Sequence, residues 1–141
     1  MSSSAKLLGL LGLIPFLAAS LAPTVEWLSL SESARYFTQY SAVLLSFFGG
    51  IHWWDAVSND KRNHQMYVAM LPTIVGWLCL VFSGDVRVLG VLSVSYLAML
   101  VYDKFTLVLT KDDIIQYIQL RMVLTTVVVI THGWMIYLLT R

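Results

Sequence analysis

The chain alternates long apolar stretches with short polar segments, and the apolar stretches have the length of membrane-crossing helices. A membrane helix needs about 20 mostly apolar residues. The sequence therefore predicts an all-α, polytopic membrane protein, with residues 1–141 forming a single domain that is an antiparallel bundle of five transmembrane helices. The predicted spans are Leu7 to Ala22, Phe37 to Ala56, Tyr67 to Phe82, Val86 to Tyr102 and Met122 to Leu139.

Capping signals predict that two helices begin well before their apolar stretches. Ser29 and Glu32 have the S-x-x-E spacing of a capping box ahead of the second span, and Thr110 with Asp113 is a looser version ahead of the fifth. Pro23 is expected to end or bend the first helix. A cleaved signal peptide is the alternative for the first span, but a retained helix is favoured because Pro15 lies inside its apolar run.

Composition supports a membrane protein and excludes several other classes. Hydrophobic residues make up 58% of the chain and charged residues 12%, and the mean hydropathy is +0.75. A net charge of +1 gives no reason to expect a nucleic-acid partner. The single cysteine, Cys79, excludes a disulfide scaffold and a cysteine-based zinc site. No complete catalytic motif occurs, so we expect a non-enzymatic protein without a metal or cofactor.

The distribution of Lys and Arg predicts the orientation of the chain. With five spans, the N-terminal side carries six of these residues and the other side three. Positive charge favours the inside, so the N-terminus is expected inside and the C-terminus outside. The two sets are Lys6, Lys61, Arg62, Lys104, Lys111 and Arg121, against Arg35, Arg87 and Arg141.

The second span predicts two neighbouring helix faces. Small residues form a ladder on one face, which would let another helix approach closely. The face beside it is partly polar and ends in ionisable residues. We expect Gly50→Leu to destabilise the packed ladder by roughly 1–3 kcal/mol through overpacking. The ladder consists of Ala42, Ser46, Gly49 and Gly50, and the second face of Ser41, Leu45, Phe48, His52 and Asp55.

Charged residues near the inner boundary predict a buried polar cluster. On an antiparallel hairpin, Asp103 and Arg121 differ in height by about 6 Å, which the long arginine side chain can cover. An unpaired ion at this depth is costly, so pairing is favoured. We expect Arg121 and Asp103 to pair, with Asp55 and His52 extending the cluster. Its expected role is to lock helix ends, with a functional role as the lesser alternative.

His132 is the deepest ionisable residue of the predicted bundle. It shares a face of the last span with Arg121 and Thr125, and this face is expected to look inward. A neutral histidine held by a backbone carbonyl or a hydroxyl is the favoured interpretation, and a proton relay or ligand is the alternative. His52 lies roughly 10 Å away in depth, so the two histidines are not expected to hold one haem.

These residues also carry a family resemblance. Gly49-Gly50-Ile51-His52-Trp53 and Tyr117-Ile118-Gln119-Leu120-Arg121 with Leu124-Thr125 are its most specific segments, and Gly12-Leu13-Ile14-Pro15-Phe16, Leu71-Pro72 and Tyr102-Asp103 add to it. Together they resemble the domain of unknown function 3429 family over nearly the whole chain. Trp54 and Gln116 depart from the expected pattern. The resemblance implies a small multi-span protein of a bacterial inner membrane or a mitochondrion, and it supplies no activity. A bacterial inner membrane is expected here.

Two functions follow as expectations. The first is a non-enzymatic accessory or assembly component of a membrane complex, with the lipid bilayer and other subunits or itself as partners. The alternative is a small proton-linked transporter working as an oligomer. It is favoured by a weak repeat in which Ile14-Pro15 matches Leu71-Pro72. A quinone or haem protein is a third class that rests only on histidine and aromatic content.

Overall fold

The computed structural model describes residues 3–59, 64–107 and 111–141, without the side chain of Lys111. These residues form seven α-helices and contain no strand, which confirms the all-α prediction. The predicted capping pair at Thr110 and the charged loop at residues 60–63 lie outside the described residues. The helices are α1 (Ser3–Leu11), α2 (Ile14–Leu21), α3 (Leu30–Ser58), α4 (Gln65–Val68), α5 (Leu71–Val81), α6 (Arg87–Thr106) and α7 (Lys111–Thr140).

The first predicted span is one apolar stretch interrupted by a turn. Gly12 and Leu13 separate α1 from α2, and Pro15 lies in the first turn of α2, where its missing N–H costs no helical hydrogen bond. The carbonyl of Gly12 accepts a hydrogen bond of 2.7 Å from the Tyr40 hydroxyl. The interruption is therefore fixed by a contact with α3. The helix ends at Leu21, two residues before Pro23.

Helix α3 begins at the predicted capping box. Ser29 is its N-cap, and the Ser29 side chain accepts a hydrogen bond of 3.1 Å from the N–H of Glu32. The helix has 29 residues, which at 1.5 Å per residue gives a length of about 43 Å. It packs against α2, α4, α5, α6 and α7, so it is the central element of the bundle.

The third predicted span is also interrupted. Helices α4 and α5 are separated by Ala69 and Met70, and Pro72 lies in the first turn of α5. Proline at this position cannot continue a preceding helix, because its ring clashes with the carbonyl four residues earlier. The first and third predicted spans therefore have the same construction, with an interruption followed by a proline-led helix.

Three stretches of the described chain are long and apolar enough to cross a membrane, whereas the sequence predicts five spans. They are Ser3–Leu21, Arg87–Thr106 and Asp112–Thr140. The other two predicted spans correspond to α3, which is long but more polar, and to Gln65–Val81, which is apolar but shorter. Helices α6 and α7 pack together along their lengths.

Aromatic residues fill the bundle near its middle. Phe16 is fully buried, and its ring centroid lies 5.2 Å from that of Phe37 and 5.0 Å from that of Tyr40. Trp134 joins α7 to the same region, since its ring N–H donates to the carbonyl of Ser20 at 3.0 Å. The N-terminal helices are thus held to both α3 and α7.

Candidate functional site

Arg121 and Asp103 form a buried ion pair between α7 and α6. The Nε of Arg121 donates to Oδ2 of Asp103 at 2.7 Å, and each residue is only 1% exposed. Their proximity follows from the antiparallel arrangement of the two helices, which brings residues on either side of the connection to similar heights. A buried arginine is tolerated because its charge is balanced by a carboxylate at hydrogen-bond distance.

His52 joins this pair from α3. Its Nε2 lies 2.5 Å from Oδ1 of Asp103, and its Nδ1 lies 3.0 Å from Nε2 of Gln65. The same Gln65 nitrogen donates to Oδ2 of Asp55 at 2.9 Å, and a carboxylate can only accept, so this nitrogen is the amide NH₂. Nδ1 of His52 therefore accepts, and Nε2 carries the proton that is donated to Asp103.

We call this set of residues the Arg121 cluster, and it links four helices. Gln65 is fully buried in α4 and connects the histidine to Asp55. Asp55, which was expected to extend the cluster, is bonded to Gln65, and Gln65 is bonded to His52. The Arg121 cluster consists of His52, Asp55, Gln65, Asp103 and Arg121.

Aromatic rings cover the Arg121 cluster from two sides. The guanidinium carbon of Arg121 lies 3.7 Å from the ring centroid of Phe48, which is a cation–π contact. The ring of Tyr102 lies 4.8 Å from that of His52. Sequence reasoning placed Phe48 on the same face as His52 without giving it a role, and it missed Gln65, which lies in a short helix with no periodic pattern to mark it.

His132 occupies a second buried polar position, farther along α7. Its Nδ1 lies 2.6 Å from the carbonyl oxygen of Val128, and its Nε2 lies 2.7 Å from the hydroxyl of Ser41. Because a carbonyl can only accept, Nδ1 carries the proton and Ser41 donates to Nε2. The rings of Phe37, Phe16 and Tyr96 surround the imidazole at centroid distances of 4.7, 5.6 and 5.7 Å.

The Asp85–Arg87 pair provides an exposed counterpart at the opposite end of the bundle. Nη2 of Arg87 lies 2.6 Å from Oδ2 of Asp85, and 87% of the arginine side chain is exposed. Hydrogen bonds from Arg87 lower the pKa of Asp85 to about 2. Solvent screens such a pair, so it contributes much less to stability than its buried counterpart.

The predicted ladder of small residues is corrected at Gly50. A Cβ placed on Gly50 meets nothing within 4 Å, whereas one on Gly49 would lie 2.6 Å from the carbonyl oxygen of Ala69. At about 100° per residue, Gly49 lies about 20° around the helix from Ala42 and Gly50 about 80°, so Gly50 turns outward. Ala42 and Ser46 instead face Gly76 of α5.

The arrangement of charges and donors is suited to joining helices. Within the described ranges, no group of three His, Cys, Asp or Glu side chains is placed to hold a metal ion. Each charged group of the Arg121 cluster is hydrogen bonded to a residue of another helix. These bonds link α3, α4, α6 and α7 to one another.

These features define an all-helical, multi-pass membrane protein with a buried ionic cluster between its helices. The chain belongs to the family described as Protein of unknown function (DUF3429), which it matches over residues 1–137, so the family resemblance in the sequence is confirmed. It is 30% identical over 126 residues to Transmembrane protein 69 of Xenopus tropicalis, an alignment that covers 86% of this chain and 49% of that protein. The chain thus spans about half the length of this curated relative. No solved structure matches the chain.

Proposed function

We propose that this chain is a non-enzymatic component of a membrane-protein complex, anchored by five membrane-crossing segments. Helix α3 supports the number of segments, because its length of about 43 Å exceeds the roughly 30 Å of a hydrocarbon core. Its outward residues Val43 and Phe47 are each 62% exposed, which suits contact with lipid. The Gln65–Val81 stretch would cross as the third segment.

The observation that carries the proposal is that the hydrogen-bonded polar side chains buried at Asp103 and at His132 connect helices to one another. Arg121 binds Asp103, His52 binds Asp103, and His132 binds Ser41, each on a different helix from its partner. Polar residues within a membrane often mark pathways for ions or protons. Here these side chains form direct hydrogen bonds between helices, and such bonds stabilise the bundle.

The region between the two histidines also favours a structural role. On α3, Leu45 and Phe48 separate Ser41 from His52, and they are 0% and 7% exposed. The hydroxyl of Tyr96 donates to the backbone carbonyl of Ser41 at 2.5 Å. The Tyr96 hydroxyl is therefore already engaged in a hydrogen bond to the backbone. A proton relay from His52 to His132 along α3 would have to cross this apolar layer.

Isolation from native membranes tests the proposal. Purified in a mild detergent and chemically cross-linked beforehand, the protein is expected to bring down another membrane protein in a fixed ratio. Recovery as a lone monomer, both with and without cross-linking, would contradict it.

A small proton-linked transporter working as an oligomer is the second candidate. The two proline-led interruptions favour it, because they occur at equivalent places in two consecutive helical hairpins, and transporters often combine repeats with interrupted helices. Vesicles containing the purified protein would then show a proton flux above that of empty vesicles, and His132→Gln would abolish it. A flux equal to that of empty vesicles would remove this candidate.

We further propose a bacterial inner membrane, one of the two membranes that the family resemblance implies. We also propose that the N-terminus lies inside, based on the six-to-three distribution of Lys and Arg. Topology reporters fused after Leu107 and after Arg141 test the orientation. The first fusion is expected to report the cytoplasm and the second the opposite side. The reverse pattern would contradict the proposed orientation, and equal signals would contradict the number of segments.

A further inference from the structure

A cavity lies between the interrupted N-terminal helix, α3 and α7. Its volume is about 390 Å³, which falls within the range of roughly 300–1,000 Å³ found for small-molecule sites. Leu8 and Phe47 line it and are 68% and 62% exposed, so the cavity reaches the outer surface of the bundle. Leu44 and Leu124 continue the apolar lining toward the interior. A molecule dissolved in the bilayer could enter from the side.

Three hydrogen-bond donors lie just behind one wall of this cavity, on residues that line it. Tyr117, Arg121 and Thr125 follow one another at intervals of four residues on α7, which places them on one face. Arg121 and Thr125 are 1% and 2% exposed. The Tyr117 hydroxyl, Nη2 of Arg121 and the Thr125 hydroxyl are buried and form no hydrogen bond within the described part of the chain.

Buried donors without acceptors are costly, so an acceptor from outside the chain that reached them through a small shift of the lining side chains would be stabilised. The charge of Arg121 is already balanced by Asp103 at 2.7 Å, and its face is covered by Phe48. An anionic group would place a second negative charge next to Asp103. A neutral acceptor avoids this repulsion and still satisfies the donors.

We propose that this cavity binds a neutral amphiphile, with a carbonyl oxygen against Tyr117, Arg121 and Thr125 and an apolar body along Leu8 and Leu44. Membranes contain two sources of this chemistry, quinones and acylglycerol esters. The proposal goes beyond the function given above and does not depend on it, because a subunit of a complex and a transporter could each hold such a ligand.

Binding to the purified full chain in nanodiscs of ether-linked lipids tests the proposal, since these lipids supply no ester carbonyl. Three probes are compared: a decyl-substituted benzoquinone, a monoacylglycerol and decylbenzene, which has the apolar body without a carbonyl. The quinone, the ester or both are expected to bind saturably and to raise the unfolding temperature, with decylbenzene giving a much smaller shift. Equal shifts from all three probes, or none from any, would overturn the proposal.

Two isosteric variants locate the binding. Thr125→Val and Tyr117→Phe each remove one donor, and each is expected to weaken binding of the carbonyl probe by about 3–10-fold. Without the probe, both should be at least as stable as the parent, because the hydroxyls they remove have no partner in the chain. Thr126→Val is the matched control, since its hydroxyl is exposed and bonds to Met122. Unchanged affinity in both donor variants would overturn the proposed site.

Discussion

Helix α3 is held on two adjacent faces by different kinds of interaction. Toward α5 the contact is made by small residues, and a Cβ on Gly76 would lie 2.8 Å from the carbonyl oxygen of Ala42. Toward α6 and α7 the contact is made by polar groups, with Ser41 bonded to His132 and His52 bonded to Asp103. One face depends on the absence of side-chain atoms and the other on the presence of specific ones.

The two faces show how a helix bundle can be stabilised when the lipid around it and the protein interior are equally apolar. Helices in a bilayer gain little from burying hydrophobic surface, so close packing and hydrogen bonds must hold them together. The two faces of α3 use these two sources of stability separately. Substitutions on each face should therefore fail for different reasons and by different amounts.

The largest effect is expected from Arg121→Gln on the polar face. The variant leaves the Asp103 carboxylate buried without its balancing charge, which should lower the free energy of unfolding by about 3–5 kcal/mol. Thermal unfolding in detergent measures the change, with Arg87→Gln as the control at the exposed pair. Equal unfolding temperatures for the two variants would show that the Arg121 cluster does not lock the bundle.

An intermediate effect is expected from adding a single methyl group to the small-residue face. Gly49→Ala places a Cβ 2.6 Å from the Ala69 carbonyl oxygen, which forces α3 and α5 apart and should cost about 1–3 kcal/mol. The matched control is Gly50→Ala, one residue along, where the added atom meets nothing. Comparing the unfolding temperatures of the pair measures the contact. A loss in Gly50→Ala as large as that in Gly49→Ala would place the ladder elsewhere.

A smaller effect is expected from Ser41→Ala, also on the polar face. The substitution removes the donor to Nε2 of His132 and leaves that nitrogen buried without a partner, at a cost of about 1 kcal/mol. Ser95→Ala is the control, because the Ser95 hydroxyl bonds only to its own helix at Val91 and is exposed. Chemical denaturation of both variants gives the difference. A Ser41 variant as stable as the control would mean that the hydrogen bond from Ser41 contributes nothing and that His132 is held by its other contacts.

The last prediction concerns proton positions and involves no loss of stability. His52 should carry its proton on Nε2, facing Asp103, whereas His132 should carry it on Nδ1, facing the Val128 carbonyl. Nitrogen-15 NMR of labelled histidines distinguishes these tautomers by the chemical shifts of the two ring nitrogens. The same tautomer at both positions would contradict the hydrogen-bond directions assigned here. His52→Gln and His132→Gln assign the two sets of signals.

Sequence periodicity predicted which residues share a face of α3 better than it predicted which helices those faces contact. Ser41, Phe48 and His52 share a buried face, as the 100° spacing requires. The same spacing places Gly49 about 20° and Gly50 about 80° from Ala42, but it does not give the rotation of α3 against its neighbours, which puts Gly49 and not Gly50 in the contact. The proximity of Arg121 to Asp103 was predictable because a hairpin fixes relative heights.

The sequence by itself determined the helical class, the family, the membrane environment and the pairing of groups close to one connection, because each follows from local periodicity, composition or motif. The bridge that Gln65 makes between His52 and Asp55, and the contact of Ser41 with His132 across 91 positions, become visible only in the folded bundle. The tertiary structure also decided the cavity with its three donors on α7. These features depend on how each helix is rotated and where it is interrupted. Packing of the whole bundle sets both, and no single segment encodes them.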